Sequence, residues 1–214
     1  SFDGGAGMLQ ALGAKFYDDE ANLVDVTKGA HVIKYIRRLD FSGIHPKLAE
    51  ANIQVMSDFS SRLYGKQSEI MQMYPMLGMT QNEAAEIDNL VWYFSELFKS
   101  ELRVTIGPIE RGGAGGGIAA VLNGLYQAEI LTSHELVDQI THLEDLVQQA
   151  DLIIFGEGLN ERDQLLETTT LRIADLTEKH HKTSIAICAT DDKFDLFEGK
   201  GVTAMFNTFI EMPE

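Results

Sequence analysis

The chain has 214 residues, 44% of them hydrophobic, which is enough for one large domain or two small ones with real cores. Asp and Glu number 33 against 17 Lys and Arg, a formal charge of -16 that argues against nucleic-acid binding. No apolar stretch approaches the ~20 residues that span a bilayer, and the single cysteine, Cys188, excludes an intramolecular disulfide. These features predict a cytoplasmic protein with a metabolite partner and no membrane or nucleic-acid partner.

A glycine-rich turn at residues 3–7 opens the first predicted helix. The predicted apolar face of this helix consists of Met8, Leu9, Ala11 and Leu12. Gly13 follows as a helix-ending residue. N–H groups at a helix start can bind an anion, and the Asp3 carboxylate in the same turn can orient or deprotonate a hydroxyl. Without a ligand, the same turn is a close contact between a helix and a strand, with Asp3 as an N-cap.

A short strand and a polar turn come next. Residues 53–56 predict a strand that leads into Asp58 and the turn-like pair Ser60 and Ser61. Asp58 is either a functional carboxylate or an ordinary turn residue after a strand. Both interpretations remain open from the residue types alone.

Two capping boxes mark the starts of longer helices. Thr80 with Glu83 begins the first, and Thr132 with Glu135 begins the second. Apolar residues recur at helical spacing in the first, at Ile87, Leu90, Val91, Phe94, Leu97 and Phe98. In the second they are Leu136, Val137, Ile140, Leu143 and Val147. Between the two, the glycine-rich turn at 112–117 opens a helix over 118–125.

The last part of the chain predicts parallel strands with covering helices. Residues 152–155, 184–188 and 202–206 are short, continuous apolar runs, which are typical of strands buried on both faces. A helical pattern over 165–181 lies between the first two. Ligands of open α/β sheets bind beyond the carboxyl ends of strands, so the Gly-Glu-Gly run at 156–158 is a candidate site element. The alternation of helices and strands predicts the α/β class.

Residues 3–13 read DGGAGMLQALG and resemble a segment of the type I glycerate kinases almost letter for letter. Residues 58–80 resemble that family's CDVTNPLLGPNGASAVFGPQKGAT block, 113–117 resembles its GAAGG turn, and 156–158 resembles its GEG signature, in the same order. The family's DSFKG and ADGGEGT motifs have no counterpart in the sequence. The resemblance therefore implies the C-terminal half to two thirds of a divergent member, a fragment or nicked protein whose partner is a missing N-terminal portion.

The resemblance also implies a fold and a reaction. The fold is α/β and three-layered, with a flavodoxin-like parallel sheet in residues 131–214 and part of a second, inserted α/β domain in residues 1–130. The reaction is phosphoryl transfer from ATP, with Mg²⁺, to the hydroxy acid glycerate. An acidic protein can bind ATP where local N–H groups, a lysine or Mg²⁺ make a positive pocket.

The resemblance assigns roles to particular residues. Asp3 and Asp58 stand where the family has its DGGAG and CDVTNP aspartates, so one would activate the substrate hydroxyl and the other would bind Mg²⁺ or position the carbon skeleton. The residues assigned to substrate or phosphate binding are Gly4, Gly5, Ser60, Ser61, Gly113, Gly115, Gly116, Gly156, Glu157, Gly158 and Glu161. No set of metal ligands follows from the resemblance.

Several polar positions of the family pattern are replaced in this chain. The family's Gln-Lys becomes Met76-Leu77, an Arg becomes Leu159, and Gly-Lys becomes Glu167-Thr168. Phosphoryl transfer depends on cations and fixed donors around the transferring oxygens, so these replacements remove or invert needed charge. Two functions remain open: a glycerate kinase, and a catalytically degenerate binding or regulatory protein that retains the fold.

Overall fold

A computed structural model describes residues 2–157, 169–189, 197 and 199–208. The chain divides into two compact units, Ser1–Ile130 (unit 1) and Leu131–Glu214 (unit 2). Both units contain helices and strands, so the α/β class predicted from the sequence is confirmed. No helix in the described part of the chain is both long and apolar enough to cross a membrane. The assignment of the two units as inserted and flavodoxin-like domains stays a prediction.

Unit 1 contains four α-helices and most of four short strands within its described residues. In chain order they are α1 (Ala6–Ala11), β1 (Lys15–Tyr17), β2 (Arg38–Asp40), β3 (Gln54–Met56), α2 (Glu69–Met73), α3 (Gln81–Leu97), α4 (Ile118–Tyr126) and β4 (Glu129–Leu131). β1 pairs with β2 in an antiparallel arrangement, and β3 is the neighbour of β4. β3 confirms the strand predicted over residues 53–56.

The core of unit 1 is built around α3. The predicted capping box at its start is confirmed, since Thr80 Oγ1 accepts from the Glu83 N–H and the Glu83 carboxylate accepts from the Thr80 N–H. The predicted apolar stripe also faces the core, where Phe94 contacts Phe16 and Phe98 edge to face at ring distances of 5.8 and 5.1 Å. Each such aromatic pair stabilises the fold by about 0.5–1.5 kcal/mol beyond the burial of its area.

Unit 2 contains a parallel sheet and three α-helices among its described residues. Its elements are α5 (Ser133–Thr141), α6 (Leu143–Gln149), β5 (Leu152–Glu157), α7 (Thr169–Lys179), β6 (Thr183–Cys188) and β7 (Ala204–Asn207). The strand order is β5-β6-β7, and both pairings are parallel as predicted. The capping box of Thr132 and Glu135 at the start of α5 is also confirmed.

The two faces of this sheet differ. Phe155, Ala186 and Cys188 lie on one face and are buried with Ala174 of α7. The register places Ile154 beside Ile185, and Ile187 beside Phe206, on the opposite face. There Leu152, Ile154 and Phe206 are 48%, 60% and 57% exposed. The prediction of strands buried on both faces is therefore wrong for the described residues, because only the α7 side is covered.

Two predicted helices differ in detail. The helix expected to carry residues 136–147 is divided between α5 and α6, because His142 adopts a left-handed conformation with φ 52°. Ile140 is consequently exposed rather than buried. In α1 the buried residues are Ala6 and Leu9, while Ala11 and Leu12 of the predicted apolar face are exposed. The helix ends before Gly13, as predicted.

Candidate functional site

The Asp3 carboxylate caps the first turn of α1. Its Oδ1 accepts a hydrogen bond from the Gly5 N–H at 2.9 Å, and its Oδ2 accepts one from the Gly7 N–H at 3.1 Å. Asp3 is only 8% exposed. A Cβ on Gly7 would lie only 2.8 Å from Oδ2. The carboxylate can therefore occupy this position only because residue 7 has no side chain. The N-cap of α1 is Gly5, so the expectation that Asp3 occupies that position is wrong. The Asp3 carboxylate nevertheless accepts the free N–H groups of Gly5 and Gly7, and these two donors fix it in place.

The second glycine-rich turn, residues 113–117, packs directly on the first. The Gly4 N–H donates to the Gly116 carbonyl oxygen at 2.8 Å. A Cβ on Gly117 would lie 2.6 Å from the Cα of Gly4, and Gly117 has φ +109°, which few other residues adopt. Any side chain at this position would push the two turns apart. Gly115 is exposed in this turn, whereas Gly113 and Gly116 are buried.

The polar turn after β3 joins the same cluster. The Gly113 N–H donates to the Ser61 carbonyl oxygen at 3.2 Å, and a Cβ on Gly113 would lie 2.7 Å from Ser61 Oγ. Ser61 is fully buried, and its Oγ has no hydrogen-bond partner among the described residues. Ser60 is exposed, and Asp58 is half-buried three positions before Ser61. The turns that carry Asp3, Ser61 and Gly113 thus meet in unit 1.

Two further carboxylates belong to this cluster although the sequence analysis did not find them. Glu69, the first residue of α2, accepts a hydrogen bond from the Gly116 N–H at 2.9 Å. Asp88 of α3 accepts from the Gly65 N–H at 2.8 Å and from the Ser68 hydroxyl at 2.5 Å. No spacing pattern identifies them, because their partners lie 20 to 47 positions away along the chain.

The glycine N–H groups of the cluster are already used within the protein. Those of Gly5 and Gly7 donate to Asp3, that of Gly4 donates to Gly116, and that of Gly116 donates to Glu69. Groups engaged in this way do not fit the phosphates of ATP. The glycines here allow close approach of backbones rather than forming an open anion cradle, so the anion-binding expectation for residues 3–7 finds no support in these donors.

The carboxylates of the cluster are also used within the protein. Each of the carboxylates of Asp3, Glu69 and Asp88 accepts backbone N–H groups. Across residues 2–157 and the later described segments, no group of three His, Cys, Asp or Glu residues is arranged to hold a metal ion. The carboxylates around Asp3 are thus engaged with backbone N–H groups of the protein itself.

Comparison with known proteins identifies the family. The model of the glycerate kinase family matches residues 1–213. The chain belongs to the glycerate kinase family. It is 30% identical to glycerate 2-kinase of Escherichia coli (strain K12) over 96% of this chain and 54% of that protein. It is 29% identical to a glycerate kinase of Halalkalibacterium halodurans over 98% of this chain and 53% of the relative.

The fold is shared with a solved member of the family. A crystal structure assigned to glycerate kinase 2 of Salmonella typhimurium LT2 superposes with a TM-score of 0.78 and 28% identity, over 96% of this chain and 53% of that one. The chain spans about half the length of the glycerate kinases that it matches. The match does not support the narrower expectation that it is the C-terminal half to two thirds of a member, lacking an N-terminal portion.

The remaining glycerate kinase positions lie in unit 2 or in exposed turns. Gly156 and Glu157 are the last residues of β5, so the strand continues through two residues expected to follow it. Gly158, Leu159, Glu161, Glu167 and Thr168 lie outside the described residues. Met76 and Leu77 lie in a 3₁₀ turn, Tyr74–Leu77, and both are exposed. No cation therefore occupies the two positions at which the family pattern has Gln-Lys.

Proposed function

We propose that the chain provides the hydroxy-acid side of a glycerate kinase. The reaction transfers the γ-phosphoryl group of ATP to a hydroxyl of D-glycerate, and it yields phosphoglycerate, ADP and a proton. Besides membership of the family, the proposal depends on one observation. The Gly4–Gly116 hydrogen bond joins the Asp3 turn to the turn at 113–117, which in turn contacts Ser61. Three segments that are distant in sequence thereby form one polar cluster.

In this proposal Asp3 orients the substrate hydroxyl and accepts its proton. The carboxylate is held by two N–H donors and is nearly buried, so it cannot turn away from a bound hydroxyl. Ser61, which is buried against Gly113, and the half-buried Asp58 belong to the turn after β3 and are the further residues proposed for substrate binding. ATP supplies the phosphoryl group, and the residues described here account only for the acceptor.

We propose that the nucleotide side comes from sequence beyond the matched half of a glycerate kinase. The length of the chain relative to known glycerate kinases supports this, since it covers 54% and 53% of the lengths of two relatives. The exposed sheet face of Leu152, Ile154 and Phe206 supports it too, because parallel sheets are normally covered on both faces. The finer assignments of ATP and Mg²⁺ belong to this proposal.

The second candidate is a glycerate-binding regulatory protein that no longer transfers phosphate. Two observations favour it over the kinase. The glycine N–H groups around Asp3 are occupied by Asp3, Gly116 and Glu69. Exposed Met76 and Leu77 also stand where the family pattern is polar or cationic. Both observations reduce the groups available for binding a triphosphate.

A coupled ADP-release assay with D-glycerate and Mg²⁺-ATP, on protein isolated at its native length, separates the two candidates. The kinase proposal expects turnover at ordinary kinase rates of ~1–100 s⁻¹ and its loss in Asp3→Asn. Calorimetric binding of D-glycerate without turnover would select the regulatory protein instead. Absence of both binding and turnover would reject both candidates. Glu86→Ala, at an exposed position of α3, is the control and should leave turnover and binding unchanged.

A further inference from the structure

We propose that Glu69 is a positioning residue that fixes the Asp3 turn through the backbone of Gly116. The role of Asp3 in the reaction rests on the proposed function, but the tether itself does not. Glu69 touches neither Asp3 nor a reacting atom in this account. It acts by holding the backbone of Gly116, to which the Asp3 turn is hydrogen-bonded.

The tether consists of two consecutive hydrogen bonds that meet at one residue. Glu69 Oε2 accepts from the Gly116 N–H at 2.9 Å, and the Gly116 carbonyl oxygen accepts from the Gly4 N–H at 2.8 Å. Gly4 is bonded to Asp3, whose carboxylate in turn receives the N–H groups of Gly5 and Gly7. Glu69 and Asp3 are thus connected through two glycines, Gly116 and Gly4.

The turn that contains Gly116 needs an external constraint. Gly115, Gly116 and Gly117 have φ values of +65°, +70° and +109°. Consecutive glycines have the greatest conformational freedom of any backbone, so this turn loses the most entropy when it is ordered. A hydrogen bond to an ionised carboxylate is stronger than one between neutral groups. Glu69 therefore supplies a strong constraint at the position where the backbone has the most conformational freedom.

The other end of the tether is firmly anchored. Ser68, which precedes Glu69, donates its hydroxyl to Asp88 of α3, and Ile70 of α2 is buried. The start of α2 is in this way fixed to the longest helix of unit 1. A continuous path of hydrogen bonds and peptide bonds therefore leads from Asp88 of α3 through Glu69 and Gly116 to the Asp3 turn.

Amide hydrogen exchange followed by NMR tests the tether without any ligand. We expect Glu69→Ala to accelerate exchange at the Gly116 and Gly4 amides by about tenfold or more. Glu69→Gln retains an oxygen acceptor and should preserve most of the protection, and Glu69→Asp, which is one methylene shorter, should lie between the two. Glu86→Ala is the matched control and should change neither amide. Unchanged exchange at Gly4 in Glu69→Ala would overturn the proposal.

Turnover of the native-length protein gives the second readout. Because Glu69 acts through Asp3, Glu69→Ala should lower kcat/KM for D-glycerate by about tenfold or more, and Glu69→Gln should recover most of it. Faster exchange at Gly4 without any D-glycerate turnover in the wild type would leave the tether standing and reject the kinase. Turnover that is lost equally in Glu69→Gln and Glu69→Ala, with exchange unchanged, would reject the tether and retain the kinase. If Glu69→Ala does not fold, the Gln and Asp variants carry both measurements.

Discussion

The two units of this chain differ in how fully they enclose their apolar surfaces. Unit 1 buries Phe16, Phe94 and Phe98 in one aromatic core, and hydrogen bonds between distant segments close its glycine turns. Unit 2 covers one face of its sheet with α7 and leaves Ile154 and Phe206 exposed on the other. The comparison teaches that the turns around Asp3 belong to a unit with an enclosed core, whereas the described part of unit 2 leaves one apolar face of its sheet exposed.

The largest effect is expected in catalysis. If unit 2 needs further sequence to cover its sheet and to bind ATP, the 214-residue chain alone should release no ADP with D-glycerate and Mg²⁺-ATP. It should nevertheless bind D-glycerate through the cluster of unit 1, and Asp3→Asn should abolish that binding. The measurements are coupled ADP release and calorimetry on the same preparation. Turnover at ~1–100 s⁻¹ would mean that the chain already contains the nucleotide side.

The core of unit 1 should carry the largest effect on stability. Phe94→Ala removes a fully buried ring and should cost about 3–5 kcal/mol of unfolding free energy. Phe206→Ala, the same change on the exposed face of unit 2, should cost about 0.5 kcal/mol or less. Trp92 is the single tryptophan and lies in unit 1, so its fluorescence during urea unfolding reports on that unit. A shift from Phe206→Ala as large as that from Phe94→Ala would contradict the difference in burial between the two rings.

The contact between glycine turns predicts a smaller effect with a matched control. Gly117→Ala should cost about 3 kcal/mol, because it combines an unfavourable φ with a clash against Gly4. Gly78 also has positive φ, but a Cβ there would meet nothing within 4 Å. Gly78→Ala should therefore cost only about 1 kcal/mol. The same urea titration gives both values, and equal costs would contradict the close approach of the two turns.

The smallest effect concerns an ion pair cluster that joins α6 to α7 in unit 2. Lys179 Nζ and His180 Nε2 donate to Glu144 Oε1 at 2.6 and 2.7 Å and lower its pKa from 4.5 to about 2. Arg172 lies 3.9 Å from the other oxygen, and it also pairs with Asp138 of α5.

A lowered pKa in the folded state stabilises the protein above the unfolded value. The contribution of Glu144 is therefore full above about pH 4.5 and is lost as the pH falls towards 2. Glu144→Gln should flatten this dependence, measured as amide exchange at Leu176 of α7. Asp145→Asn, at an exposed neighbouring position, is the control. An unchanged acid profile in Glu144→Gln would show that the pairs do not contribute in solution, as many exposed ion pairs do not.

The parts of the fold that were predicted correctly depend on neighbours in sequence. The capping boxes of α3 and α5 join residues three positions apart, so the sequence alone identifies them. The break at His142 was missed because the apolar spacing continues across it. The uncovered sheet face was missed because an apolar strand has the same composition whether one or both of its faces are buried.

The residues of the candidate site also differ in whether the sequence could identify them. Residue types and motif order led to Asp3, Ser61 and the turn at 113–117, and the structure brings these segments together. Their roles in substrate or phosphate binding stay predictions, as do those of Asp58, Glu157 and Glu161. Glu69 and Asp88 could not be found from the sequence, because a single glutamate or aspartate carries no pattern until its distant backbone partner is known.

The sequence by itself determined the family, the α/β class and the local signals that begin and end helices, because these depend on residue type and short spacing. Only the tertiary structure decided that Gly4 donates to Gly116, that Glu69 holds the same glycine, and that one face of the β5–β7 sheet is exposed. The physical reason is that hydrogen bonds and burial between distant segments depend on which segments the tertiary fold brings together. Short spacing patterns in the sequence do not contain that information.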